Sequence, residues 1–398
     1  MKAYSILPSI NNQTNGEIEL VESDLNPLSL TQKLLSFNTV NPPGNERDCA
    51  KYCGSLLEEV GFEVKYLEFA DKRTSVIAHM RGTGGKPAIC FTGHLDTVPL
   101  GTAAWHKDPF DGEVNGDRVY GRGSSDMKAG VAAMLLMARR LAKMSKSEAA
   151  VTLVLTAGEE TCCEGAYHVA RLGNALGQAG AIIVGEPTFN YPLIGHKGCV
   201  RFELTTEGVT AHASMPELGD NAIHKAALAV TKLQEFDFHT SAHPLLGAPT
   251  LNIGTISGGI NINSVPDKAR IGIDIRTIPG KDHKEIQESI QEALGQDIKV
   301  KLLEEARSIA TDFEQEWVQQ VCEIMAGILG ERPAPSAASF FTDASVLTPA
   351  YDNPPTIILG PGEPAMAHKT DEYCYISKIE EATQAYVEIA MDWCGLEA

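Results

Sequence analysis

Four short runs constrain the fold more than anything else in the chain: AICFT at 88–92, VTLVLTA at 151–157, AIIV at 181–184 and TIIL at 356–359. Each is apolar almost throughout, and a strand that does not alternate with polar residues is covered on both faces, as in a parallel sheet. Residues 128–143, KAGVAAMLLMARRLAK, read as a helix between the first two runs. Strand, helix, strand is the mark of an α/β sheet with crossover helices. Upstream, LSLTQKLLSF at 28–37 reads as an amphipathic helix stopped by NPPG at 41–44, and ERDCAKYCGSLLEEV at 46–60 as a second helix ending at Gly61.

Residues 197–306 are patterned differently. VRFELTTEG, TLNIGTISGG and ARIGIDIRTIPG alternate apolar with polar, with helical stretches at 221–236 and 283–294. Alternation implies a sheet with one covered face and one free face. The expected organisation is an α/β domain, mostly parallel-stranded with helices on both faces, made of residues 1–196 and 307–398. A smaller α+β domain, 197–306, is inserted into it. A length of 398 residues fits two domains at about 100–200 residues each.

The net charge of −19 would repel phosphate backbones and anionic lipid, which argues against a nucleic-acid or membrane partner. No run approaches the ~18 apolar residues of a membrane span. The first twenty residues lack the apolar core of a secretory signal and are expected to form a loosely held tail. Nine cysteines show no CxxC pair and no framework spacing, so reduced thiols and a cytoplasmic location are expected.

A metal-type residue closely follows each buried run. AICFT leads to His94 and Asp96, VTLVLTA to Glu159 and Glu160, AIIV to Glu186, and TIIL to His368; Asp126 stands just before the linking helix. In open α/β sheets neighbouring strand ends converge on one crevice. A single His or Glu at a strand end is ordinarily solvated or a cap, but two His and several carboxylates gathered in one crevice need a counter-charge, because an unpaired buried carboxylate costs several kcal/mol. A divalent cation supplies it. His94, Asp126, Glu160, Glu186 and His368 are one ligand more than a tetrahedral zinc accepts, and a catalytic zinc keeps an open position. Two metals bridged by Asp126 resolve the excess, with a water shared between cations ~3.5–4 Å apart. Asp96 fits the acceptor that orients a ligating imidazole.

At these residues the sequence resembles a known family. GHLDTVP, YGRGSSDMKAG, TAGEET, GEPT, HKG, TAHAS, GGININSVP, DIRTIPG and GPGEPAMAHKTDEY are together similar to the M20 co-catalytic zinc peptidases and deacylases, in order, over about residues 28–390. The resemblance implies two zinc ions, with cobalt or manganese as substitutes, and a ferredoxin-like lid that also serves dimerisation. It implies that His94 and Glu186 hold one metal, Glu160 and His368 the other, and Asp126 both, with Glu159 as general base. His212, in TAHAS, matches a histidine that reaches into a partner's site to stabilise the oxyanion. Asn263 and Arg276 match positions for substrate polar groups. Asp343, which the resemblance implies as a further substrate-binding residue, falls where relatives carry an SGGTSD-like loop, but this chain has Phe340 and Phe341 there.

The implied reaction is cleavage of the amide bond of an N-acyl amino acid or short peptide. The AHKTDEY ending points first to acetylornithine, with desuccinylase, aminoacylase and dipeptidase activities as alternatives. A non-catalytic relative would lack a ligand or the base, and all six residues are present. A thiol enzyme using Cys162 or Cys163 would need a partner base that no motif supplies. Both cysteines are expected to be bystanders beneath the loop.

Overall fold

The computed structural model describes residues 25–144 and 147–396, and the tail expected over the first twenty residues falls outside them. Two main sheets are built from β1 (Glu63–Ala70), β2 (Arg73–Met80), β3 (Ala88–His94), β4 (Val151–Thr156), β5 (Ala179–Val184), β6 (Gly198–Glu207), β7 (Thr250–Gly258), β8 (Lys268–Thr277), β9 (Ile298–Ala306) and β10 (Thr356–Ile358). The larger runs β1-β2-β4-β3-β5-β10. Its β4–β3, β3–β5 and β5–β10 pairings are parallel. At one edge the hairpin β1–β2 adds antiparallel pairings. That hairpin is not among the apolar runs, because β1 stays largely exposed and the buried β2 opens with polar Arg73, Thr74 and Ser75.

Residue alternation divides the larger sheet between two apolar layers. Ile89 and Phe91 of β3, Leu153 and Leu155 of β4 and Ile183 of β5 pack with helices Arg47–Glu58, Ala129–Leu141, Glu316–Leu329 and Ile376–Cys394. Cys90, Val154, Ile182 and Val184 point the other way, towards helices Glu164–Arg171 and Ala344–Ala350. Both faces are therefore covered, which is why these strands carry so few polar residues. Each such fully buried side chain contributes about 1.5–3 kcal/mol relative to exposure. Tyr386 joins the last helix to this core: its ring lies 5.5 Å from that of Phe91, and its hydroxyl donates to the Leu359 carbonyl at 2.6 Å.

The smaller sheet runs β7-β8-β6-β9, antiparallel throughout. With helices Ala222–Gln234 and His283–Leu294 it follows the β-α-β-β-α-β order of a ferredoxin-like unit. Val200, Phe202 and Leu204 of β6 and Ile271, Ile273 and Ile275 of β8 sit under the two helices. The intervening residues, Arg201 and Asp274 among them, occupy the opposite face. Strand β9 escaped the sequence pattern because most of IKVKLLEEA stays exposed. Among the described residues no helix is long and apolar enough to cross a membrane.

The chain enters and leaves the smaller unit through paired segments, His196 opposite Ile309 and Gly195 opposite Ala310. His196 is fully buried, its Nδ1 donates to the Lys197 carbonyl at 2.9 Å, and burial pushes its pKa down to about 4. Between pH 4 and about 6.5 the unfolded chain binds a proton that the folded chain refuses. Stability should therefore fall as pH drops through that window, by up to about 3 kcal/mol from this residue. Denaturant unfolding at several pH values should show a shallower dependence for His196→Gln; an unchanged slope would refute the assignment.

Candidate active site

Strand β3 lies between β4 and β5, so the chain reverses direction across the sheet there, and a crevice opens beyond the carboxyl ends of the three strands. His94 ends β3, Glu159 and Glu160 follow β4, Glu186 follows β5 and His368 lies in the loop after β10. Asp126 precedes the helix that begins at Ala129. Its two carboxylate oxygens face different imidazoles: Oδ1 is 3.0 Å from His94 Nε2, and Oδ2 is 3.3 Å from His368 Nε2. His94 Nε2 also lies 3.6 Å from Glu186, and His368 Nε2 lies 3.1 Å from Glu160. The structure thus gathers all five residues into two groups that share Asp126, His94–Asp126–Glu186 and Asp126–Glu160–His368, with donor atoms in each within 4.8 Å.

Two strand exits meet closely here. A Cβ on Gly360 would lie 2.2 Å from the Gly185 carbonyl oxygen and 2.5 Å from that of Glu186, so a glycine is required where the β10 loop passes β5. His368 itself has φ +63°, a left-handed conformation that costs a non-glycine residue about 1 kcal/mol or more and is typical of functional positions.

Residues not expected from sequence hold the loops in place. Glu372 accepts hydrogen bonds from the backbone NH groups of Gly123, Ser125 and Asp126 at 2.8–3.0 Å, and from Arg122 at 2.7 Å. Asp96 acts differently from expectation. His94 Nδ1 donates to the Asp96 backbone carbonyl at 2.9 Å, while the carboxylate lies 3.6 Å from that nitrogen. The carboxylate instead accepts from Glu159 N at 3.0 Å, Glu160 N at 3.2 Å and Asn41 Nδ2 at 2.8 Å. It fixes the backbone of the paired glutamates.

The electrostatics are those of crowded acids. Burial, reinforced by Glu186 and Glu160 and opposed by His94, raises the Glu159 carboxyl well above its ordinary value. Burial likewise raises Glu186, with Asp126 and Glu160 adding to the effect. Burial works against ionisation of Asp126 too, but hydrogen bonds from His368 and His94 overcome it and hold that carboxyl well below the usual range. Hydrogen bonds to Asp126 and Glu160 push His368 up to about 10. Burial opposes protonation of His94, yet the nearby carboxylates outweigh it and raise its pKa. Glu160 Oε1 is buried without a hydrogen-bond partner among the described residues. Clustered acids and an orphaned buried oxygen fit cation binding, and nitrogen and oxygen donors of this kind suit zinc, cobalt or manganese.

A pocket of about 410 Å³ opens onto this cluster, lined by Asp126, Glu159, Glu160, Glu186 and His368 below and by Arg201, Arg276, Phe340 and Phe341. Arg276 lines this pocket, and so does Arg201, which no motif singled out. Asp343 is not on the pocket wall as a substrate contact would be: it is 1% exposed, takes a hydrogen bond from Thr156, and sits within 4.8 Å of Glu159 and Cys163. His212 and Asn263 are exposed and absent from this lining. They adjoin each other, with Ala213 N donating to the Asn263 carbonyl at 3.1 Å.

Cys163 is closer to the chemistry than a bystander, its sulfur 4.0 Å from Glu159 Oε1. Burial raises the thiol pKa of Cys163 and of Cys162, so neither is an activated thiolate. Cys162→Ser should change stability by no more than about 0.5 kcal/mol. Cys163→Ala, which opens a gap behind Glu159, should cost about 1 kcal/mol or more. Urea unfolding of both variants checks the difference; equal effects would contradict it.

Comparisons with known proteins agree with this geometry. The model of peptidase family M20/M25/M40 matches residues 90–392. A probable succinyl-diaminopimelate desuccinylase of Staphylococcus epidermidis is 28% identical over 407 residues, covering 92% of this chain and 99% of the relative. An acetylornithine deacetylase of Vibrio parahaemolyticus is 29% identical, with 92% and 98% covered. A solved Bacillus subtilis structure, described as a dinuclear metal binding peptidase from the M20 family, superposes with a TM-score of 0.70 at 18% identity, covering 93% of this chain and 98% of that one. With the matched region spanning most of the sequence and the same fold throughout, the chain belongs to peptidase family M20/M25/M40 and is a metal-dependent hydrolase.

Proposed function

We propose that this chain cleaves the amide bond of an N-acyl amino acid at a two-metal centre. His94, Asp126 and Glu186 would hold one zinc ion and Asp126, Glu160 and His368 the other. The observation that carries this reading is the pair of Asp126 oxygens facing two separate imidazoles. When bound, such a pair of cations lowers the pKa of a water and polarises the substrate carbonyl. Glu159 belongs to neither ligand group. It lines the pocket, takes the proton of the attacking water and passes it to the leaving amine. Arg276 receives the α-carboxylate, a bidentate match for a guanidinium.

Residues 1–196 and 307–398 form the catalytic part in this reading, and 197–306 form a lid. A second copy of the chain completes the site: His212 is exposed and is not part of the described lining of the pocket at the cluster, which suits a residue that stabilises the oxyanion in a partner. The exposed edge strand β7 is the matching dimer surface. A monomeric mass in solution together with full activity would exclude this. All nine cysteines are free, consistent with a reducing cytoplasm.

The AHKTDEY ending favours acetylornithine, and the Vibrio relative carries that name. A second reading, desuccinylation, is favoured by the additional arginine at the pocket and by the Staphylococcus relative's name. Measuring kcat/KM with zinc supplied on acetylornithine, succinyl-diaminopimelate and a dipeptide panel tests the proposal. Strong preference for an N-acyl amino acid is expected; equal rates on all would sink the deacylase reading.

A further inference from the structure

We propose that Arg201 is a specificity-determining residue that receives a second carboxylate of the substrate, beside the α-carboxylate on Arg276. This rests on the deacylase reading, sides with its desuccinylase branch over acetylornithine, which carries one carboxylate, and narrows the substrate class to N-acyl amino acids bearing two carboxylates.

Strand register builds the arrangement. Arg201 lies on β6 directly opposite Asp274 of β8 on one side and Glu304 of β9 on the other. Since Val200 and Phe202 point into the lid core, Arg201 points to the open face. Its Nε donates to Asp274 Oδ2 at 2.9 Å and its Nη1 to Glu304, while Arg276 Nε donates to Asp274 Oδ1 at 2.8 Å. One carboxylate thus bridges two guanidiniums and sets their separation. Both arginines line the pocket that holds the metal-type cluster.

Neither guanidinium is fully used by the protein. Arg201 Nη2 and Arg276 Nη1 make no hydrogen bond among the described residues. The Glu304 side chain is 43% exposed, so its hold on Arg201 competes with water and yields readily to a ligand anion. Asp274 is less exposed and grips both arginines, so it keeps them in place when a ligand arrives. A monocarboxylate can satisfy Arg276 and leaves Arg201 with Asp274, Glu304 and solvent. A second carboxylate within reach gains a charge-assisted pair there.

The second carboxylate can come from the acyl group or from the amino-acid side chain, and the test separates these. Zinc-loaded protein is assayed on N-acetylnorvaline, N-succinylnorvaline and N-acetylglutamate. One dicarboxylate should exceed N-acetylnorvaline by about tenfold or more in kcat/KM, chiefly through KM. Whichever it is identifies the source. Arg201→Gln should bring that ratio close to one, and Arg201→Lys should restore part of it, with thermal melting confirming that both variants fold. A ratio unchanged in Arg201→Gln, or no dicarboxylate preference in the parent, overturns the proposal. Calorimetric binding of N-acetylnorvaline and the two dicarboxylates to zinc-loaded Glu159→Gln protein, with and without Arg201→Gln, reads the same discrimination with turnover suppressed. If no N-acyl substrate is cleaved the deacylase reading falls, while the binding ratio still decides Arg201.

Discussion

Glu159→Gln should lower kcat by about 10²–10⁴-fold while leaving the metal content of the protein unchanged. The reason is positional. Glu159 and Glu160 are neighbours in sequence, and Asp96 holds both of their backbone NH groups. Adjacent side chains leaving a strand end diverge, so Glu160 falls beside His368 while Glu159 falls beside Cys163 and Asp343 and belongs to neither ligand group. A carboxylate beside the metals but not on them can carry a proton without disturbing them. Glutamine keeps the shape and removes the proton acceptor. If the variant lost metal in proportion to activity, Glu159 would be a ligand and the division of roles would be wrong.

Asp126→Ala should have the other large effect, reducing both metal content and turnover. It is the single residue common to both groups, and both imidazoles hydrogen bond to it. Its removal leaves two ligands in each group, short of the three protein ligands usual in a catalytic zinc site. Metal analysis after exhaustive dialysis should find well under two ions per chain, with kcat reduced by at least as much as in Glu159→Gln. Retention of two tightly held ions would show that Asp126 does not bridge.

The sequence made strand exits readable because parallel strands advertise themselves as apolar runs, and the residue after each run faces the crevice. Hence His94, Glu159, Glu160, Glu186 and His368 could be singled out by position. What was not readable depends on contacts between distant segments. Glu372 meets the Asp126 loop across 246 residues, and Asn41 meets Asp96 across 55. No local pattern encodes either. Arg201 is ordinary in VRFELTTEG and gains its place only through the β6–β8 register and the docking of the lid over the sheet. The motif points to Asp343 as a substrate contact, whereas the structure buries it beside Glu159 and Cys163. The β1–β2 hairpin is hard to read because β1 is an exposed edge strand with little apolar signal, and β2, though buried, opens with the polar residues Arg73, Thr74 and Ser75.

The most direct test of the two-metal centre is a zinc titration of metal-free protein, with bound metal and N-acyl amino acid hydrolysis followed together. Two equivalents per chain should bind and hydrolysis should appear as they do, with neither in Asp126→Ala. Saturation at one equivalent with full activity, or no zinc binding at all, would contradict it.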